Sequence, residues 1–362
     1  MRPGEPVIDG MACAVNLASQ VVRDIPVGKG PEGIAVDAAG RRAFVACSRS
    51  NGVTAVRLDG EPEPWRAGTG REPIPVIFDA PSGRLFTADA RSDTVTVVDA
   101  ATRRQLSRIP VGSYPAGLGH HPELRRVYCG DTAAGTITVI DADTLHTVGT
   151  VPAELGAGSI AVDAERGRAY CANMLSSSVT VFDPATLRPL GRIAVRECPC
   201  KIVINQAAGH LYLASALHGH LTRISLDTGA VLDELPVERA PVGLCVSPGG
   251  RWLYVCNRGA GTISVLDARG GSESHRIPVG NGPGDCAVDP VTGRLLVSNV
   301  GSGTLTVIDR PWLPPRREQQ RDHPAAGKPL PAFALPDLRT GCLRRSVEWA
   351  GKRYIICFFA SW

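Results

Sequence analysis

One proline recurs at a fixed interval along this chain. It stands at Pro31, Pro73 and Pro115, then at Pro199, Pro241 and Pro283. Each step is 42 residues, and the longer gap spans two steps with Ala157 at the missing position. Thirteen residues after the proline comes a large side chain: Phe44, Phe86, Tyr128, Tyr170, Tyr212, Tyr254 and, in the last copy, Leu296. Three further on lie Cys47, Asp89, Asp131, Asn173, Ser215, Asn257 and Asn299. Ten beyond those stand Asp99, Asp141, Asp183, Asp267 and Asp309, with Arg57 and Ser225 in the remaining copies. A repeat of this length marks an array in which each unit buries its apolar face against the next. It therefore overrides the division of 362 residues into two comparable domains that length alone suggests.

Within one copy the apolar residues form four short runs. In the sixth these are Gly243–Ser247, Trp252–Cys256, Thr262–Asp267 and His275–Val279, separated by turns rich in Gly, Pro and Asn. Runs of this length and composition are strand and turn signals, and the 40 glycines and 29 prolines supply the turns. The first two runs lack clean alternation, as strands covered on both faces do. Four antiparallel strands per 42-residue unit predict a β-propeller blade, and seven copies predict an all-β, seven-bladed β-propeller. The last copy stops after its third strand, Thr304–Asp309, and Val21–Val27 is available as its fourth. The N-terminal strand is thus expected to close the ring and cover the open edge.

The units resemble the YVTN-type β-propeller repeat, with Tyr-Val-Cys-Asn at 254–257 and Tyr-Cys-Ala-Asn at 170–173. Ile-Pro-Val-Gly at 109–112 and Thr-Ile-Thr-Val-Ile-Asp at 136–141 match the same pattern. The resemblance covers roughly residues 21 to 309 and speaks to fold more than function, because propellers host many unrelated sites. The related superfamily includes the heavy subunits of quinoprotein amine dehydrogenases, which are scaffolds there and offer no catalytic residue to carry over.

After Asp309 the text changes. Residues 310–326 read as a solvated linker rich in Pro, Arg and Gln. Beyond it, Pro331-Ala332-Phe333-Ala334-Leu335-Pro336-Asp337-Leu338 and Gly351-Lys352, followed by the apolar run into Phe358-Phe359-Ala360-Ser361-Trp362, look like the opening of a redoxin. That resemblance implies an incomplete thioredoxin-like segment over 327–362, with the family's C-x-x-C pair expected after Trp362. Cys357, inside the apolar run, reads as core rather than nucleophile. The expected organisation is a lead over 1–20, the propeller over 21–309, the linker, and this partial segment.

Partners and compartment follow from charge and cysteines. The net charge of +4 is spread along the chain without a basic cluster, so no nucleic acid is expected. The longest apolar stretch is too short to span a bilayer, so no membrane is expected. No apolar segment of leader length follows Met1, and the 11 cysteines are an odd number, which argues against a disulfide framework. A cytoplasmic monomer is the expectation.

Two places carry candidate chemistry. The fifth copy has Cys198-Pro199-Cys200 before its first strand and His218-Gly219-His220 between its second and third. In an up-and-down blade both emerge on one face, where two thiolates and two imidazoles suit Zn²⁺ or copper or a thiol-redox centre. The C-x-C spacing is unusual for zinc, and the plain alternative is a decorated surface loop. The same face holds the channel mouth, where repeat register places Glu32, Glu72, Tyr114, Lys201, Arg258 and Asp285. These suit a small polar ligand or a partner's loop, against the alternative of a solvated rim. His120-His121 falls on the opposite face and reads as a turn. The Asp89, Asp131, Asn173, Asn257 and Asn299 series is expected to cap tight turns through side-chain bonds to backbone. No Ser-His-Asp order, phosphate-cradling glycine loop or glycosidase-like carboxylate pair stands out. The first reading of function is a non-catalytic binding or scaffold module for a protein or small ligand. The alternatives are a thiol-disulfide oxidoreductase or redox maturation factor built with a complete redoxin, or a metal-dependent lactonase- or oxidoreductase-type propeller using the blade-five cluster.

Overall fold

The computed structural model describes residues 13–15, 22–58 and 62–312, together with the strands Ala334–Pro336, Leu343–Arg345 and Ile355–Cys357. Two units separate, one of Gln20–Pro314 and one of Met1–Ser19 with Pro315–Trp362. In the second, Cys13–Val15 pairs antiparallel with Ile355–Cys357, and Ala334–Pro336 with Leu343–Arg345. Apart from these short backbone pairings, the redoxin-like reading of 327–362 and the linker reading of 310–326 beyond Trp312 lie outside the described residues.

The first unit is a ring of seven four-stranded antiparallel sheets. Blades one to six span Pro31–Gly68, Pro73–Pro110, Pro115–Pro152, Ala157–Ala194, Pro199–Pro236 and Pro241–Pro278. Blade seven takes Pro283–Val288, Leu295–Asn299 and Thr304–Ile308 and borrows Val22–Pro26 from the other end of the sequence. In the sixth blade the observed strands agree with the expected ones to within two residues. The closing strand pairs antiparallel with Thr304–Ile308, from Val22 opposite Ile308 to Pro26 opposite Thr304.

Burial explains why these segments are strands. Second strands such as Arg84–Asp89 are buried on both faces, whereas fourth strands such as Gln105–Pro110 are mostly exposed. Apolar packing runs between blades rather than within them. Seven clusters of buried side chains each join one blade to the next, including Ile25, Val45 and Leu305 across the seam between blades seven and one. Polar ties follow the same step. The Tyr128 and Tyr212 hydroxyls donate to the carbonyls of Pro184 and Ala268 in the following blade, at 2.7 and 3.0 Å. Arg84 and Arg126 reach the carbonyls of Ala142 and Pro184, both at 2.7 Å, and Arg294 closes the circle on Leu58 O at 2.9 Å.

The Asp/Asn series departs from expectation. Asp89, Asp131, Asn173, Asn257 and Asn299 are fully buried; they bond side chains of the neighbouring third strand rather than capping the turn that follows them, and Asp89 and Asp131 also take the backbone N–H of Gly70 and Gly112. Asn173 Nδ2 donates to the Ser178 and Thr180 hydroxyls, each at 2.9 Å, and Asp131 accepts from Thr136 and Thr138 at 2.9 and 2.7 Å. Hydroxyls five and seven residues later offer a covered polar group more than the turn does. Turn capping falls to the third-strand series instead: Asp99, Asp141 and Asp183 accept the backbone N–H of Thr102, Thr144 and Thr186 at 2.6, 2.7 and 3.0 Å.

Candidate functional site

All seven first strands begin at one end of the ring and converge on its axis. The residue before each repeat proline, or before Ala157, has positive φ: Gly30, Glu72, Tyr114, Gly156, Cys198, Ala240 and Gly282. That left-handed step turns the chain into the first strand, and the register of each then shifts against its partner just after the proline position. One or both of the next two residues of every blade are thereby presented around the channel mouth.

A cavity of ≈ 330 Å³ opens there, lined from all seven blades. Its wall is divided by chemistry. Ile74, Pro75, Leu118 and Met174, from blades two to four, form an apolar side. Glu32, Lys201, Arg258 and Asp285, from blades one, five, six and seven, form the charged side. The charges are paired: Arg258 Nη2 lies 2.9 Å from Glu32 Oε2, and Lys201 Nζ lies 3.0 Å from Asp285 Oδ2. Gly284 lies under the first pair, since a Cβ there would stand 3.3 Å from both Arg258 Nη2 and Glu32 Oε2. Burial pushes the Glu32 carboxyl above its ordinary range, and Arg258 offsets this only in part. Burial works against the Lys201 ammonium, yet the Asp285 carboxylate holds it above its ordinary value. The second carboxylate oxygen, Asp285 Oδ1, is buried with no hydrogen-bond partner among the described residues.

Four of the six channel-mouth residues expected from sequence thus line one cavity. The other two, Glu72 and Tyr114, are not among its lining residues. Tyr114 is exposed and its hydroxyl donates to Glu72 Oε1 at 3.4 Å, while Glu72 also pairs with Arg91. The blade-five cluster divides. Cys200 lines the cavity, where burial pushes its thiol up to about 12 and its sulfur sits 3.3 Å from the carbonyls of Ala214 and Pro241. Cys198 is half-buried in the left-handed step itself. His218 and His220 stack on each other at 5.8 Å, with Glu197 and Glu234 as their nearest carboxylates at 3.6 and 3.8 Å. Among the described residues no three His, Cys, Asp or Glu side chains gather so as to hold a metal ion. On the far face, His121 Nδ1 accepts the Leu124 N–H at 3.3 Å within its turn.

Sequence reasoning missed a neighbouring thiol group. Cys245 and Cys286, on the first strands of blades six and seven, have their sulfurs 3.1 Å apart. Their positions differ by 41 residues, one short of the repeat, so register alone does not pair them.

Fold and cavity define a closed seven-bladed propeller with a ligand-sized pocket at one mouth of its channel. The family described as "Lactonase, 7-bladed beta-propeller" matches residues 122–312, more than half of the sequence, and the chain belongs to that family. Among solved structures, hydrazine synthase of Kuenenia stuttgartiensis contains a similar chain, with a TM-score of 0.71 at 19% identity. The match covers 77% of this chain and 95% of that one, and at this identity it speaks to fold alone. No curated protein matches. Among the described residues no helix is long and apolar enough to cross a membrane.

Proposed function

We propose that the propeller is a binding module whose channel mouth takes a small polar ligand with a hydrogen-bond donor and an apolar flank. The observation that carries this reading is the divided wall of the cavity, with the Glu32–Arg258 and Lys201–Asp285 ion pairs on one side and Ile74, Pro75, Leu118 and Met174 on the other. The charged side offers hydrogen bonds to a polar group, and the apolar side covers a short chain. Small amines and alcohols with short apolar chains have the matching chemistry, and the ion pairs around Asp285 set the orientation of the donor.

Thermal-shift titration with ethanolamine, leucine and 3-hydroxybutyrate tests this. At least one probe is expected to raise the melting temperature. Asp285→Asn is expected to weaken that probe about tenfold or more, since hydrogen bonds to charged groups contribute roughly 1.5–3 kcal/mol. No stabilisation by any probe, or equal affinity in the variant, would overturn the reading.

A second reading follows from the family's name, namely hydrolytic opening of a lactone. It is favoured by Glu32, whose buried carboxyl is pushed upward beside Arg258 in the same cavity, as suits a general acid or base. Acid release from a simple δ-lactone measures it. Hydrolysis that falls about 100-fold or more in Glu32→Gln supports this reading, and an unchanged background rate refutes it.

A further inference from the structure

We propose that Cys245 and Cys286 form a redox-active dithiol that closes to a disulfide across blades six and seven when it meets a hydroperoxide. This site stands independently of what the cavity binds.

The geometry comes from a close approach of two first strands. A Cβ on Gly243 would lie 2.6 Å from Gly284 O and 2.8 Å from Asp285 Cα, so only glycine lets the strands come this near. The approach brings the two sulfurs to 3.1 Å, about 1 Å beyond a disulfide bond length. Both cysteines are free thiols. Cys286 is buried at 4% and Cys245 is half-buried, so only a small oxidant reaches the pair. Burial would raise the Cys286 thiol, but hydrogen bonds from Cys245 and Cys256 hold it below its ordinary range, and the Lys201 charge acts in the same direction. Burial pushes Cys245 and Cys256 well up. One member of the group is thus disposed to be the thiolate and another to keep its proton, the division of labour that thiol oxidation needs.

The chemistry balances with a hydroperoxide as the sole oxidant. The Cys286 thiolate attacks one peroxide oxygen, the O–O bond breaks, and hydroxide leaves with the displaced electron pair, giving a sulfenic acid. Cys245 sulfur then attacks the oxidised sulfur, the S–O bond breaks, and the Cys245 proton leaves with the oxygen as water. Two thiols are oxidised and one peroxide is reduced. A small disulfide is too large an oxidant for so covered a pair, whereas hydrogen peroxide is hardly bigger than water. The product staples blades six and seven covalently, beside the contacts that already join them.

The experiment uses the full chain, freed of reductant and exposed to hydrogen peroxide, then digested with trypsin without reduction. Cleavage after Arg239, Arg251, Arg258, Arg276 and Arg294 puts Cys245, Cys256 and Cys286 on three separate peptides. The expected result is a linked pair of 240–251 with 277–294, the loss of two thiols per chain, and recovery of both with dithiothreitol. Cys245→Ser is expected to leave Cys286 as a sulfenic acid that dimedone traps, and Cys256→Ser to keep the link. An unchanged thiol count, a link to another cysteine, or separate over-oxidation of Cys245 and Cys286 in the wild-type map would overturn the proposal. The wild-type map decides it even if a serine variant fails to fold.

Discussion

Two aspartate series in this chain sit in opposite environments, and their protonation is pushed in opposite directions. Hydrogen bonds from backbone N–H groups hold Asp99, Asp141 and Asp183 below the ordinary carboxylate range. Asp89 and Asp131 are raised, because burial outweighs the hydroxyls and the Gly70 and Gly112 N–H groups that bond them. A carboxyl whose folded-state value lies above its unfolded value stabilises the fold fully only below the unfolded value, near 3.9, and that contribution is lost as pH rises through the folded one. At neutral pH the charge of Asp89 and Asp131 is therefore a cost. Other blades have replaced it: Asn257 and Asn299 meet the hydroxyls of Thr262 and Ser264 and of Thr304 and Thr306 with Nδ2 donating, without a charge. Asp89→Asn and Asp131→Asn are expected to raise the melting temperature at pH 8 by about 2–4 °C each, equivalent to about 1 kcal/mol in a domain of this size. The gain should fade as the measurement is repeated toward pH 4. A loss at pH 8 would show that the carboxylates are better satisfied than burial implies.

At the scale of elements, the repeat made strands legible because each one is bounded by a turn residue in fixed register. The proline, the large residue thirteen positions on and the Asp/Asn after it mark the first and second strands of nearly every blade. The same register found Glu32, Lys201 and Asp285, since they stand one or two residues past the proline position and the ring carries that stretch of every blade to one axis. Arg258 was found from the turn that meets the same face. What register could not find depends on how far one strand slides against its neighbour in the next blade. Cys245 lies four residues past Pro241 and Cys286 three past Pro283, and nothing in a single sequence reports that stagger. The role of the Asp/Asn series was misread for a related reason. Its partners are hydroxyls on another strand, whereas turn chemistry is the only use of Asp and Asn that local sequence displays. Likewise Cys200 and His220 share a face by topology, yet one side chain lines the cavity while the other stacks on His218.

For the propeller as a whole, stability belongs to interfaces between blades, so closure of the ring is a property of every blade at once. Ile25 on the borrowed strand occupies the repeat position held by Ile109 and Ile277, and all three are nearly fully buried in clusters between blades. A propeller whose seam were a detachable latch would lose its closing strand first, exposing Thr304–Ile308 as an open edge available to another chain. The seam is no weaker than other junctions by its contacts. Five residue pairs join Val22–Pro26 to Thr304–Ile308, Asp24 bonds Thr306, and Arg294 reaches blade one. Ile25→Ala is therefore expected to cost the same as Ile109→Ala, about 2–4 kcal/mol for a buried isoleucine, and both variants should unfold in a single transition monitored by urea titration. An early transition, or dimerisation at higher protein concentration, confined to Ile25→Ala would instead make the N-terminal strand a latch that opens before the rest of the ring.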